Sequence, residues 1–265
     1  GILMSAPIKS AALIDQYDRR ITRLVQVAFV MGLGALWYLS TNVWGMSPIL
    51  LPKPQDAFSE LLDILKSGEF WPDLLLTLGE LAGAFAISMT LGLTIGFMVS
   101  LSPIYTRIFE PLLAGVYAVP IILFLPLYVL FFGLGATSKI ALGATISFFP
   151  IVLNTIAGFT SVDKIYVTAA KSMGASPTIL LRYVLIPGAL PIILSGLRMG
   201  FTVALLSIIG SETIASLSGL GHRIVNLAES LEIARMFAYI VFVVVIAATL
   251  NSVVSRLEAS RGQDK

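Results

Sequence analysis

Three carboxylates, Glu80, Glu110 and Glu212, interrupt otherwise apolar runs of this sequence. An ionised side chain at membrane depth costs several kcal/mol unless it is paired or wet, so each needs a reason to be there. Glu80 and Glu110 lie near the ends of their runs, where they are expected to reach the interface in a structural role. Glu212 closes a run just before Ser218-Gly219-Leu220-Gly221, which makes it a candidate for an outer gate or its support. Ser147 and Asn154 fall about two turns apart on one face of another run, where they line a route or bond across helices. His222 is the only histidine, and an acid–base pairing with Glu212 is the one enzymatic arrangement to weigh. No Cys, no second His and no acid cluster of metal-ligand spacing accompanies it. Gly133–Lys139 has the glycines and lysine of a phosphate loop but lacks the Gly-Lys-Ser/Thr ending. Catalytic, metal and nucleotide sites all lack their residue sets, so no cofactor is expected in this chain.

The elements that carry these residues are set by composition. Hydrophobic residues make up 57% of the 265 and charged ones 12%, with a mean hydropathy of +0.94. Soluble domains run near 45–50% apolar and about 25% charged, so this is an integral membrane protein. The formal charge of +2 is too small to point to nucleic acid. Six apolar runs, at about 22–42, 75–99, 108–132, 138–159, 190–212 and 236–256, each approach the ~20 residues a bilayer core requires. Lipid permits only helices and closed barrels, so the expected fold is all-α, a six-helix transmembrane bundle forming a single domain over 1–265. Pro120 and Pro126 are expected to break the third span and Pro150 the fourth. Gly79/Gly83, Gly92/Gly96 and Gly196/Gly200 are spaced for close helix contact within the chain or between subunits. No secretory signal peptide is expected, because the first span is long and lacks a small-residue cleavage site. The leading Gly1 suggests a trimmed start.

Lys and Arg bias orients the bundle. With the N-terminus inside, 12 of these residues fall on the inner side and 5 on the outer side. Both termini are therefore expected in the cytoplasm, with 1–21 a cytoplasmic N-terminal segment that lies along the membrane surface from Ile8 to Arg23. Outside, Asp56–Lys66 reads as an amphipathic surface helix, with Phe58, Leu61, Leu62 and Leu65 on one face and Gly68 after its end. It props the membrane surface or meets a soluble partner. Leu220–Arg235 reads as a second outer helix, over the mouth of the bundle or in a plain loop.

The segment Ser161–Pro191 is not simply apolar, and the inside–outside count puts 161–188 in the cytoplasm. Asp163 is a helix cap, Gly174 stands where a helix stops in a left-handed residue, and Ser176-Pro177 opens a second short helix. Pro187 and Pro191 are expected to close that helix before the next span. Two short helices bent at a glycine make a protrusion that something outside the membrane grips.

This segment resembles the coupling loop of ABC importer permeases, whose pattern is Glu-Ala-Ala, three residues, Gly, nine residues, Ile-x-Leu-Pro. Here the pattern is Thr168-Ala169-Ala170, Gly174 and Val184-Leu185-Ile186-Pro187, with Thr168 in place of the Glu. The resemblance continues through LPKP at 51–54, FGLGATSK at 132–139, FFPIVLNTIAG at 148–158, SGLRMG at 195–200 and SGLG at 218–221, and together these look like the permeases for sulfonates, taurine, nitrate and related small solutes. It implies a type I importer subunit in the inner membrane, with Asp163, Thr168, Ala169, Ala170, Lys171, Gly174, Ala175, Ser176 and Pro187 forming the ATPase-coupling element. Ala169 and Ala170 are expected to face the ATPase groove, with Lys171 and Arg182 helping where the Glu is lost. The implied partners are two ATP-binding-cassette ATPase subunits, which hold the ATP and Mg, a second permease copy forming a homodimer, and a solute-binding protein. Ser147, Asn154 and Glu212 are the candidates for the pathway or gate. In the resembling permeases Arg often stands at the place of Glu80, and Glu212 matches an acidic position. The transported solute is not readable from these residues.

Overall fold

The computed structural model describes residues 8–262, with side chains described at 21–256; the expectations for residues 1–7 and for side chains before 21 lie outside these. All regular elements among the described residues are helical. The helix α1 (Ile8–Asn42) runs unbroken from the charged segment into the first apolar run, so the expected surface stretch and the first span are one helix. A turn at 43–53 leads to α2 (Pro54–Ser67), which starts on a first-turn proline and stops at Gly68 in a left-handed conformation. This is the amphipathic helix expected at 56–66. Its Ala57 and Ile64 are buried, and Ile64 joins a core that includes Tyr239 and Val243, while Phe58 and Leu65 stay exposed.

Next come α3 (Trp71–Ser100), α4 (Pro103–Tyr117), a 3-10 turn at Ile121–Phe124 and α5 (Leu125–Phe132). α4 and the 121–132 segment lie at 70° to each other and together span the third apolar run. The break falls at Pro120; Pro126 instead starts α5, in the first turn where its missing N–H costs nothing. α6 (Ala136–Thr160) follows, and it is not broken at Pro150 as expected. That proline sits buried inside a continuous helix, where neighbouring helices hold the chain in line. Five helices among the described residues are long and apolar enough to cross a membrane, and the number is six when the bent pair is counted as one span.

α7 (Lys164–Ser172) and α8 (Pro177–Leu180) form the hairpin expected in this region. Pro187 and Pro191 do not close its second helix. The chain passes from α8 through a π-helical turn at Leu181–Leu185 straight into α9 (Ile186–Ile214), giving one rod over Pro177–Ile214. Pro187 falls in the first turn of α9, and the π turn absorbs the irregularity that a proline imposes. α10 (Leu220–Glu229) and α11 (Ile233–Gly262) complete the chain. The expected helix over 220–235 is thus divided at Leu231, a non-glycine residue with φ 59°.

α6 is the axis of the fold, packed between α3 and α9. The contacts are close because small residues carry them: a Cβ on Gly92 would lie 2.7 Å from Ile151, and one on Gly96 2.6 Å from Thr155. On the other side Gly200 approaches Ile151, and Gly196 packs directly on Asn154. All four positions in Gly92/Gly96 and Gly196/Gly200 therefore face an α6 side chain with no room for a Cβ, and the pairs serve packing inside the chain. Gly83 meets Ile140, whereas Gly79 has open space around it.

Candidate coupling and gating sites

The functional side chains collect at opposite ends of the bundle. At one end stands the hairpin. Asp163 Oδ1 accepts the Ile165 N–H at 2.9 Å and starts α7. The helix stops at Gly174, φ 79°, with the Ala175 N–H bonded to the Ala170 carbonyl at 3.0 Å. Ser176 Oγ then receives the Ile179 N–H at 3.4 Å and opens α8. These three assignments are as expected from sequence.

The outward face of the hairpin differs from the expectation. Ala170 is 7% exposed, so it faces the protein and not a partner's groove, although its neighbour Ala169 is exposed. The exposed surface is apolar instead: Ile165, Tyr166 and Met173 are 68%, 64% and 80% exposed. Helical spacing carried the signal for this surface, since 165, 166, 169 and 173 fall on one face of α7. Thr168 and Lys171 are exposed on other sides of the hairpin, and Ala175 is half-buried.

At the other end a single carboxylate organises a turn. Glu212 is fully buried, and its Oε1 accepts the Thr77 hydroxyl at 2.6 Å while Oε2 accepts the Gly221 N–H at 2.8 Å. Thr77 Oγ1 receives in turn the Leu220 N–H at 3.1 Å. Asp73 takes the Gly219 N–H at 3.1 Å and Arg223 Nε at 3.0 Å. Three consecutive backbone N–H groups, 219 to 221, are thereby held by two acids and a threonine. The glycines of Ser218-Gly219-Leu220-Gly221 are required here. Gly219 has φ 107°, and a Cβ on it would run into the Glu212 carboxylate. A Cβ on Gly221 would stand 2.7 Å from Glu212 Cβ.

Glu212 is therefore the support for the turn that its position suggested. Glu80 does not reach the interface as expected; it is 1% exposed and lies beside Glu212. It joins because Asp73, Thr77 and Glu80 are spaced four and three apart, which stacks them on one face of α3. That spacing was the available signal for Asp73 and Thr77, which sequence reasoning missed. Lys139 is also fully buried at this end, with its ammonium on the Leu134 carbonyl at 2.5 Å. Glu110, in contrast, is exposed on α4.

Ser147 is fully buried with its hydroxyl on the Gly143 carbonyl at 2.8 Å, and Asn154 Nδ2 donates to the Pro150 carbonyl at 2.8 Å. Both bond within their own helix, and the α9 glycines Gly196 and Gly200 pack against this stretch of it. His222 Nε2 lies 3.0 Å from Asn226 Nδ2, while Glu212 is engaged by Thr77 and Gly221, so the two are not arranged as an acid–base pair.

Beside the turn, Glu69 joins α11 to the α2–α3 connection. It accepts from Arg235 Nη2 at 2.6 Å and from the Tyr239 hydroxyl at 3.0 Å, and Arg235 also approaches Glu60 at 3.5 Å. The hydrogen bond from Arg235 holds the Glu69 carboxyl below its usual range.

A membrane bundle with a capped hairpin at one end and a carboxylate-held turn at the other has clear relatives. Residues 88–261 match the binding-protein-dependent transport system inner membrane component family, and the chain belongs to it. It is 34% identical over 221 residues to the taurine transport system permease protein TauC of Escherichia coli, covering 82% of this chain and 80% of that one. The aliphatic sulfonates transport permease protein SsuC of the same organism, a putative assignment, is 32% identical over 76% of this chain and 77% of its own. The riboflavin transport system permease protein RibX of Chloroflexus aurantiacus is 30% identical over 86% of this chain and 85% of its own. Among solved structures, the fold matches the MetNI methionine ABC transporter with a TM-score of 0.61 at 17% identity, covering 72% of this chain and 95% of that one. An amino acid ABC transporter matches with a TM-score of 0.59 at 24% identity, over 75% and 95%. The chain is a membrane-spanning permease subunit of an ABC importer.

Proposed function

We propose that this subunit pairs with a second copy of itself, docks two ATPase subunits on the α7–α8 hairpin and passes a small solute delivered by a binding protein outside. The observation that carries the reading is the hairpin: a capped, left-handed-terminated protrusion whose exposed surface is Ile165, Tyr166 and Met173. Exposed apolar side chains beyond the membrane ends of a bundle are costly unless a protein covers them. Lys and Arg bias supports a cytoplasmic hairpin and cytoplasmic termini.

ATP hydrolysis belongs, on this reading, to the partner chains. Their movement is transmitted through α7 and α8 into the continuous rod that ends in α9, because a rigid helix moves as one body. At its far end that rod carries Glu212, so displacement of the hairpin reaches the 219–221 turn, which faces outside. The bundle then alternates between two openings, each favoured by its own set of bound partners. The taurine and sulfonate relatives make a short alkanesulfonate such as taurine the first solute to test.

The test is reconstitution of the chain with its ATPase subunits and binding protein in lipid vesicles. Hydrolysis stimulated by the loaded binding protein, with accumulation of solute, is expected. Turnover of solute by the isolated chain, or ATP hydrolysis indifferent to its presence, contradicts the proposal.

A further inference from the structure

Lys139 and Glu80 are an unmatched pair. Glu80 is almost wholly buried against the Glu212 carboxyl, and no hydroxyl, amide or ammonium among the described residues donates to either of its oxygens. Lys139 is wholly buried too, yet of its three donors one is engaged, on the Leu134 carbonyl. The ammonium lies within electrostatic reach of Glu80 and Glu212 but forms no ion pair with either. A buried carboxylate without donors is costly, and a fold retains such a group when another arrangement satisfies it. A metal ion is not required, because a buried cation already stands nearby.

The present partner of Lys139 is informative. Leu134 lies between Gly133, φ 80°, and Gly135, in the linker that joins the bent α4–α5 segment to α6. α4 buries no residue and α5 buries only Leu125, so this segment is lightly held. Transfer of the ammonium from Leu134 to Glu80 would free the linker and tie α6 to α3, next to the carboxylate that holds the 219–221 turn. Exchanging one contact for the other would give α6 two discrete arrangements, as bistable elements require.

We propose that Lys139 is a two-position latch, holding the Leu134 carbonyl in this conformation and moving onto Glu80 in the alternate state, so that release of the α4–α5 segment and tightening at the Glu212 turn occur together. The proposal rests on the transport reading, since it needs two states driven by the ATPases.

A Leu134→Cys variant keeps the backbone carbonyl and provides the only thiol in the chain, at a position 42% exposed. The probe is a water-soluble maleimide, applied to the reconstituted complex at rest and after trapping with ATP and vanadate. The latch requires a severalfold faster reaction in the trapped state. With Lys139→Met added, the reaction should be fast in both states, and with Glu80→Gln added, slow in both. Equal rates in the two states of the Leu134→Cys complex overturn the latch, as does a normal trapping response when Glu80→Gln is added, which marks Lys139 as a purely structural tie. If the complex hydrolyses no ATP, the transport reading has failed on its own account. The latch is then decided on the purified chain: Lys139→Met must still accelerate labelling at position 134, and an unchanged rate overturns it.

Discussion

Thr77 shows how much rests on one hydroxyl. It donates to Glu212 and accepts from Leu220, so it satisfies two buried groups from different elements. Thr77→Val keeps the shape and removes both bonds, leaving each group short of a partner at about 1–3 kcal/mol. A clear drop in the thermal midpoint of the purified chain is expected, with recovery in Thr77→Ser; equal midpoints for Val and Thr would contradict the network. Glu212→Gln retains size but presents an NH2 group to a donor at one of two oxygens, so transport is expected to fall while the chain still inserts and docks its ATPases. Normal uptake would leave Glu212 without a role in the gate. Glu69 supplies a pH test. Its folded-state carboxyl is held below the unfolded value of 4.5, so its contribution is fully present above that value and fades as pH falls through the lower, folded one. Glu69→Gln should flatten this acid limb in a melting series, whereas an unchanged limb would assign the loss to other groups.

At the scale of elements, Gly174 and the apolar hairpin face separate folding from docking. Gly174→Val forces a β-branched residue into the left-handed region, at roughly 1–2 kcal/mol, and should loosen the hairpin without affecting insertion. Met173→Asp leaves every backbone bond of the hairpin in place and changes only an exposed side chain. It is expected to weaken ATPase binding while the thermal midpoint stays put, measured by co-purification of the ATPase subunits. Retention of the partner in Met173→Asp would place docking elsewhere. Punctuation residues made the start and stop of this hairpin readable, because Asp163, Gly174 and Ser176 act on their immediate neighbours. Ala170 was misassigned because its burial depends on packing of the hairpin against its own chain, which no local signal encodes. Pro150, Pro187 and Pro191 misled for a related reason: a proline's cost is local, but flanking helices and the π turn at 181–185 absorb it.

For the whole molecule, apolar run length was enough to give the spans, since the bilayer fixes that length for any sequence. Which faces meet was legible only in part. The glycine spacings pointed to close contacts, yet that α6 is their common partner follows from three helices converging. The Asp73–Thr77–Glu80 stack was visible as spacing on one helix. Its meeting with Glu212 and the 219–221 turn joins residues more than 130 positions apart, as the separation of Thr77 and Glu212 shows, and sequence carries no trace of that pairing. The proposed orientation makes opposite ends of one rod sense opposite sides of the membrane. Cysteines introduced at Lys66 and Ser218 should therefore label from outside in intact cells; protection of both would reverse the topology.

The most direct measurement uses a single cysteine at Met173, the most exposed apolar position of the hairpin, in a chain with no other thiol. In membrane vesicles of known sidedness, Met173→Cys should react with an impermeant maleimide only from the cytoplasmic face, and the reaction should be suppressed when the ATPase subunits are bound. Labelling from the external face, or reactivity indifferent to bound ATPase, would contradict the assignment of this hairpin as the cytoplasmic coupling element.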